Sequence, residues 1–299
     1  MNEMKRPFLS ILAALGLLWI VPVHADEPLS VFVSVPPQAY IAERIGGEHV
    51  AVEVLVRPGQ EPHTFEPTPK QILVLSRAKV FLRIGIPFET RLLEKIQASH
   101  PDLKVVDTTK GIEKRRLTVN ELSHDEHSAD QEEHHEGEPD LHVWMAPPLV
   151  EILAQNTAGA FTEVDPSHAE KYEHNFQAFL KDLRAVHEKI KRNLLPFKGR
   201  SFYVFHPAFG YFADTYGLRQ EAVEIQGKSP SPRQLSDLIR KAKAENVKVI
   251  FVQPQFDKRG AEVVADAIGG VVLPLDPLAK DLLKNFEEIA VKIEHTLKE

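Results

Sequence analysis

The stretch from Asp165 to Leu195 reads as one long helix, and a rod of that length constrains everything around it. Asp165 suits the N-cap, and Pro166 suits the first helical position, where its missing N–H costs nothing. Tyr172, Phe176, Phe179, Leu183, Val186 and Ile190 then recur at alternating steps of four and three, the seam of an amphipathic helix. Pro196 and Gly199 close it. At 1.5 Å per residue the rod is about 45 Å long, more than a small domain is wide. It is therefore expected to hold two lobes together rather than to lie inside one.

Both flanks of the rod carry the signature of a parallel sheet covered by helices. On the N-terminal side, Ser30 to Val35, Val50 to Val56, Val80 to Ile84 and Leu103 to Val106 are short, β-branched runs, with helical patterns between them. On the C-terminal side, Ser201 to Phe205, Glu221 to Ile225, Val247 to Val252 and Val271 to Leu275 alternate with helical segments in the same way. The predicted class is α/β, with two lobes, each a parallel sheet flanked by helices, joined by one long rigid helix. The lobes are expected over 26–162 and 199–299, with the linker helix over 165–195. The sequence shows no repeat between the halves beyond this shared order of elements.

Residues 1–25 are read as an export signal. Lys5 and Arg6 form the basic segment, Phe8 to Val23 the apolar one, and Val23-His-Ala25 the cleavage site. A membrane anchor is the alternative, but the apolar run is short for a span and carries Pro22. The chain contains no cysteine, which excludes disulfides, thiolate ligands and a lipid-modified cysteine. A periplasmic location follows as the expectation. The formal charge of −7 includes no basic stripe, so nucleic acid is not an expected partner. No later run is long enough to insert the mature chain in a bilayer.

Ser123 to Pro139 holds His124, His127, His134 and His135 among acidic residues and no large apolar side chain. Such a tract cannot bury a core. It is expected to be an accessory, weak metal-binding loop, or else merely a solubilising one. His63 lies in a proline-rich loop just past a strand, and His142 stands where apolar character resumes. His206 and Asp276 directly follow strands. In open parallel sheets the carboxyl ends of the strands form the ligand crevice. Three imidazoles and a carboxylate, two from each half, form a donor set that suits Zn²⁺, with Mn²⁺ next. Individually each has an ordinary reading. His206 beside aromatic residues is commonly a core residue, Asp276 before Pro277 could cap the last helix, and His63 and His142 could be loop residues.

Five segments together carry a resemblance. They are Pro62-His-Thr-Phe-Glu-Pro-Thr-Pro69, Leu141-His-Val-Trp144, Phe205-His-Pro-Ala-Phe-Gly-Tyr-Phe212 with Tyr216-Gly217, Phe251-Val-Gln-Pro-Gln-Phe256, and Leu273-Pro-Leu-Asp-Pro-Leu-Ala279. In this order they resemble the zinc- and manganese-binding solute proteins of ABC importers, the ZnuA/TroA-like group, over nearly all of the chain beyond the signal. The resemblance implies two α/β lobes on a rigid helix, with metal at the lobe interface held by His63, His142, His206 and Asp276. It also implies a membrane permease as partner, and the chain is expected to act as a monomer. Two departures stand out. Leu141 replaces the proline usual before His142, and Ala146 replaces a later polar residue, which weakens the support expected behind His142. A histidine at 206, where manganese members often carry Glu, favours zinc, as does the histidine tract.

Glu61 is an alternative fourth ligand, and Glu66 could accept a proton from a ligand imidazole or simply be a solvated loop charge. Four protein donors leave a metal no open position, which suits a carrier rather than a hydrolase. An exported zinc hydrolase would need a vacant position and a general base such as Glu61 or Glu66, and neither His-Glu-x-x-His nor Gly-x-Ser-x-Gly occurs. A stand-alone zinc buffer or a manganese carrier remain the other readings.

Overall fold

A computed structural model describes residues 27–97, 100–117, 137–224 and 231–298. The export-signal reading of 1–25 and the tract histidines His124, His127, His134 and His135 lie outside the described residues.

The first lobe runs β1 (Leu29–Val33), α1 (Pro36–Gly46), β2 (Val50–Val54), α2 (Pro69–Leu75), β3 (Val80–Arg83), α3 (Pro87–Gln97), β4 (Lys104–Asp107) and α4 (Pro147–Val164). Its strands are parallel, in the order β2-β1-β3-β4. After the long helix α5 (Ala169–Leu194) come β5 (Ser201–Val204), α6 (Gly210–Tyr216), β6 (Arg219–Ala222), α7 (Pro232–Ala244), β7 (Val249–Val252), α8 (Arg259–Ile268), β8 (Val271–Pro274) and α9 (Leu282–Lys298). The second sheet is also parallel, in the order β6-β5-β7-β8. The two halves thus repeat one topology, as their matching order of elements implied. In each sheet the chain reverses direction across the sheet between its two central strands, β1 and β3 or β5 and β7. Beyond the carboxyl ends of those pairs the backbone leaves a crevice.

The rod is shorter at its start than its sequence pattern implied. A 3-10 turn at Pro166–His168 precedes it, and the α-helix proper covers 26 residues, about 39 Å. Asp165 is not its side-chain cap. The carboxylate instead accepts from the Ser167 hydroxyl, the His168 ring and the Tyr172 hydroxyl, which spends its oxygens on side chains instead of on the helix N–H groups. Along the seam Tyr172, Phe176, Phe179, Leu180, Leu183, Ile190 and Leu194 are buried. They pack on α1 and α4 of the first lobe and on α9 of the second. One continuous apolar core therefore includes both lobes and the rod, with a second cluster on the outer face of the second sheet. Ion pairs fasten the same contacts at the surface, Arg44 to Asp182 and Lys189 to Glu287. Among the described residues no helix is long and apolar enough to cross a membrane.

The last helix also begins later than its apolar pattern implied. Asp281 accepts from the Lys284 N–H and caps α9, while Asp276 lies several residues upstream in a turn, its Oδ1 accepting from the Leu278 N–H. Asp276 is thus free of the capping role that Pro277 suggested for it.

Candidate metal centre

His63 sits in the loop between β2 and α2, where three prolines, Pro58, Pro62 and Pro67, prevent regular structure. That loop is pinned at both sides of the histidine. Phe65 is buried against Phe88, ring centroids 4.9 Å apart. Thr68 and Gln71 form a reciprocal cap at the start of α2, and the Gln71 amide reaches Leu55 O. Glu61 bends the loop locally, one oxygen accepting from the His63 N–H and the other from the Thr64 N–H, both at 2.7 Å.

His142 immediately precedes a 3-10 turn, Val143–Met145, whose three side chains are buried. His206 follows β5, and the fully buried Gln253 clamps its backbone from the end of β7. Gln253 Oε1 accepts from the His206 N–H at 3.1 Å and Gln253 Nε2 donates to His206 O at 2.6 Å. The clamp bridges the two central strands at the point where the chain reverses across the sheet. That fixes where the imidazole projects.

The three imidazoles meet at the lobe interface. One ring nitrogen from each of His63, His142 and His206 lies within 4.8 Å of the other two. His142 Nε2 and His206 Nε2 are 3.4 Å apart. The opposite nitrogen of both His142 and His206 is committed. His142 Nδ1 is 2.8 Å from Asp140 Oδ1, and His206 Nδ1 is 3.0 Å from Glu224 Oε2. A carboxylate only accepts, so it holds the proton on Nδ1 and leaves the Nε2 lone pair facing inward. Lone pairs converging in this way repel one another, and a cation among them removes the repulsion. Tetrahedral Zn²⁺ with Zn–N bonds of about 2.0–2.1 Å separates its nitrogen ligands by about 3.4 Å, the separation of His142 Nε2 and His206 Nε2. The donor set and its spacing therefore fit zinc.

The electrostatics run the same way. Burial, together with the neighbouring His206 ring, pushes the His63 pKa below the ordinary imidazole value, so this imidazole sheds its proton more readily. Burial opposes ionisation of Asp140, but the hydrogen bonds from His142 and Arg115 outweigh it and keep its carboxyl below the usual range. Burial likewise opposes ionisation of Glu61, and the Thr64 and His63 contacts outweigh it. Aromatic rings wall the centre. Phe256 stacks on His206 at 4.8 Å, and Trp144 packs edge-on to His142 at 5.4 Å. A cleft of about 380 Å³ opens above, with Leu117, Glu138 and Pro139 on its rim.

The remaining sequence candidates are distributed as follows. Asp276 is not in the three-histidine cluster. Its Oδ1 accepts from Gln255 Nε2 at 2.9 Å, and Gln255, Pro277 and Leu278 line a small cavity against the same imidazoles. Glu61 lines that cavity too, with both oxygens turned to its own loop. Glu66 is exposed. Among the described residues, the carboxylates bonded to the clustered imidazole rings are Asp140 on His142 and Glu224 on His206. Leu141 in place of proline costs His142 no support, because Asp140 also receives the His142 backbone N–H at 3.0 Å. Glu224 was not legible in the sequence, since it lies two residues past the end of β6 and 18 residues from His206 in the chain. Asp140 stands two residues before His142 in the chain, so local sequence could have pointed to it.

The family model described as zinc-uptake complex component A, periplasmic (ZnuA), matches residues 31–296. The chain is 28% identical over 303 residues to the zinc-binding lipoprotein AdcA of Streptococcus pneumoniae serotype 4, covering 96% of this chain and 59% of AdcA. It thus spans little more than half the length of that relative. It is 29% identical over 249 residues to the iron-binding protein YfeA of Yersinia pestis, covering 80% of this chain and 75% of YfeA. Among solved structures, a crystal structure of ZnuA superposes with a TM-score of 0.81 at 36% identity, covering 91% of this chain and 100% of that one. These are proteins of metal binding and uptake, not enzymes.

Proposed function

This chain belongs to the ZnuA family of periplasmic zinc-uptake components, and on that premise we propose that it captures Zn²⁺ with high affinity in the periplasm and passes it to the permease of an ABC importer. The observation that carries the metal is the 3.4 Å spacing of His142 and His206 Nε2, with each opposite nitrogen held by a carboxylate. Zinc is favoured over manganese because the converging donors are three imidazoles. A relative named for iron, YfeA, makes the choice of metal a matter for direct measurement. Asp276 completes the coordination from the second lobe by exchanging Gln255 for the ion, and Glu61 is the alternative donor. With four protein ligands the ion keeps no position for a reacting molecule. The rod packed against both lobes resists wide hinge closure, so release proceeds by small lobe shifts and loop movement when the protein docks as a monomer on the permease.

The histidine tract is assigned an accessory, collecting role. In its favour, the described residues on either side of it are paired at the rim of the cleft, with Leu117 N–H donating to Glu138 O and Asp140 N–H to Arg115 O. Deleting residues 123–139 should leave the high-affinity site intact. Loss of that site would refute the accessory role.

The decisive test is a titration of the metal-free protein with Zn²⁺ and with Mn²⁺ against a competing chelator, alongside His206→Ala, Asp276→Asn and Glu61→Gln. One tight equivalent of zinc, at least tenfold tighter than manganese and weakened at least 100-fold by His206→Ala, is the expected result. Equal affinities for parent and His206→Ala would overturn the proposal. The two carboxylate variants decide the fourth ligand.

A further inference from the structure

We propose that Arg115 is a clasp between the lobes that sets how fast the bound metal leaves. The inference deepens the carrier reading above and rests on it for the identity of the metal.

Arg115 lies on the chain leaving the first sheet, and its backbone carbonyl accepts from the Asp140 N–H at 2.9 Å. Its guanidinium faces two carboxylates from opposite lobes. Nη1 donates to Asp140 Oδ2 at 2.9 Å, and Nε donates to Asp214 Oδ2 at 2.8 Å on α6. The other oxygen of Asp140 is the one that holds His142. Helix α6 begins four residues after His206, at Gly210. The two imidazoles from opposite lobes are thus joined behind the metal centre by a second route, His142 to Asp140 to Arg115 to α6.

Three further contacts tighten that route. The Tyr211 hydroxyl, on α6, accepts from the Arg115 N–H at 3.0 Å and donates to Asp140 O at 2.9 Å. The guanidinium carbon lies 5.8 Å from the Tyr211 ring centroid. Gly210 supplies the room, for a Cβ there would stand 1.9 Å from Arg115 Nη1.

The two halves of the clasp differ in strength. Asp140 is fully buried and the Arg115 side chain is 14% exposed, whereas the Asp214 side chain is 60% exposed. A solvated ion pair is weak, and a buried pair whose remaining bonding positions are filled is hard to break. The bond to Asp214 is therefore the one that opens when the lobes shift, while the bond to Asp140 keeps His142 aimed. Lysine cannot replace this arginine, since a single ammonium does not present the two directed donors of the guanidinium.

The test compares parent, Asp214→Asn, Arg115→Lys and Arg115→Ala in the full mature chain loaded with Zn²⁺, with release followed after addition of excess chelator. Asp214→Asn carries the decision, because Asp214 is exposed and its loss leaves Asp140 and its partners in place. Release at least fivefold faster in Asp214→Asn and Arg115→Lys is expected, with the visible absorption of the Co²⁺-loaded form unchanged in Asp214→Asn because the ligand set is untouched. A metal-independent measurement accompanies it. The chain has no cysteine, so spin labels at Glu94→Cys on α3 and Arg233→Cys on α7 report one inter-lobe distance, which should broaden in the metal-free Asp214→Asn protein. Release within twofold of the parent, or a distance distribution as narrow as the parent's, would overturn the clasp. Should the parent hold no zinc, the carrier reading fails, and the clasp is then decided by the distance distribution alone.

Discussion

The indole nitrogen of Trp144, in the first lobe, donates a 2.8 Å hydrogen bond to the carbonyl of Pro277, in the second. The donor lies two residues from His142 and the acceptor one residue from Asp276, so the bond spans the interface beside the metal centre. The chain has two tryptophans, and the other, Trp19, falls in the expected export signal. A protein starting at Asp26 therefore carries one tryptophan, packed against the His142 ring. Its emission should shift on zinc addition and saturate at one equivalent. Trp144→Phe should cost about 1 kcal/mol in chemical denaturation, the net worth of one buried hydrogen bond.

Glu224 should matter to zinc without touching it. Its Oε2 holds the His206 Nδ1 proton, and loss of such a partner typically weakens a metal site 10- to 100-fold. Glu224→Ala should show that loss in chelator competition. Glu224→Gln, which keeps an acceptor oxygen, should recover most of it.

Gly210 is held to its identity by Arg115. A methyl group at this position would overlap the guanidinium at 1.9 Å, and forcing extra volume into a packed site costs about 1–3 kcal/mol. Gly210→Ala should lower the thermal midpoint accordingly. Adding Arg115→Ala to the same chain should restore part of the loss, because the guanidinium contact is removed while Asp140 Oδ2, 2.9 Å from that Cβ, remains, and the coupling between the two sites is measurable as a double-mutant cycle.

Asp165 predicts a pH signature far from the metal. Burial raises its pKa, but the hydrogen bonds from Ser167, Tyr172 and His168 prevail and hold it at about 2, below the ordinary 3.8. A carboxyl depressed in the folded state stabilises the protein at every pH above its unfolded value and loses that contribution as pH falls through the folded one. Asp165→Asn should therefore cost about 1 kcal/mol at pH 7, after allowing for solvent screening of a partly exposed group. The gap between parent and variant should close between about pH 4 and pH 2. Thermal unfolding across that range measures it.

Much of the architecture was legible from residue order alone. Strand and helix are local choices, so the β-branched runs, the four-three seam from Tyr172 to Ile190 and the breakers at Pro196 and Gly199 disclosed two α/β halves on a rod. Boundaries were less legible. Asp165 and Asp276 both resemble helix caps when only their neighbours Pro166 and Pro277 are considered, yet their oxygens go to other partners.

By itself the sequence determined the elements, the family and the three imidazoles, because periodicity, turn chemistry and the residues flanking each histidine are properties of short stretches. Tertiary structure alone decided what stands behind those imidazoles. Glu224 reaches His206 across 18 residues and Asp214 reaches Arg115 across 99, and no local pattern records either pairing. The reason is physical. A hydrogen bond between distant segments depends on where two sheets and a rod place them, and that placement exists only once the chain has folded.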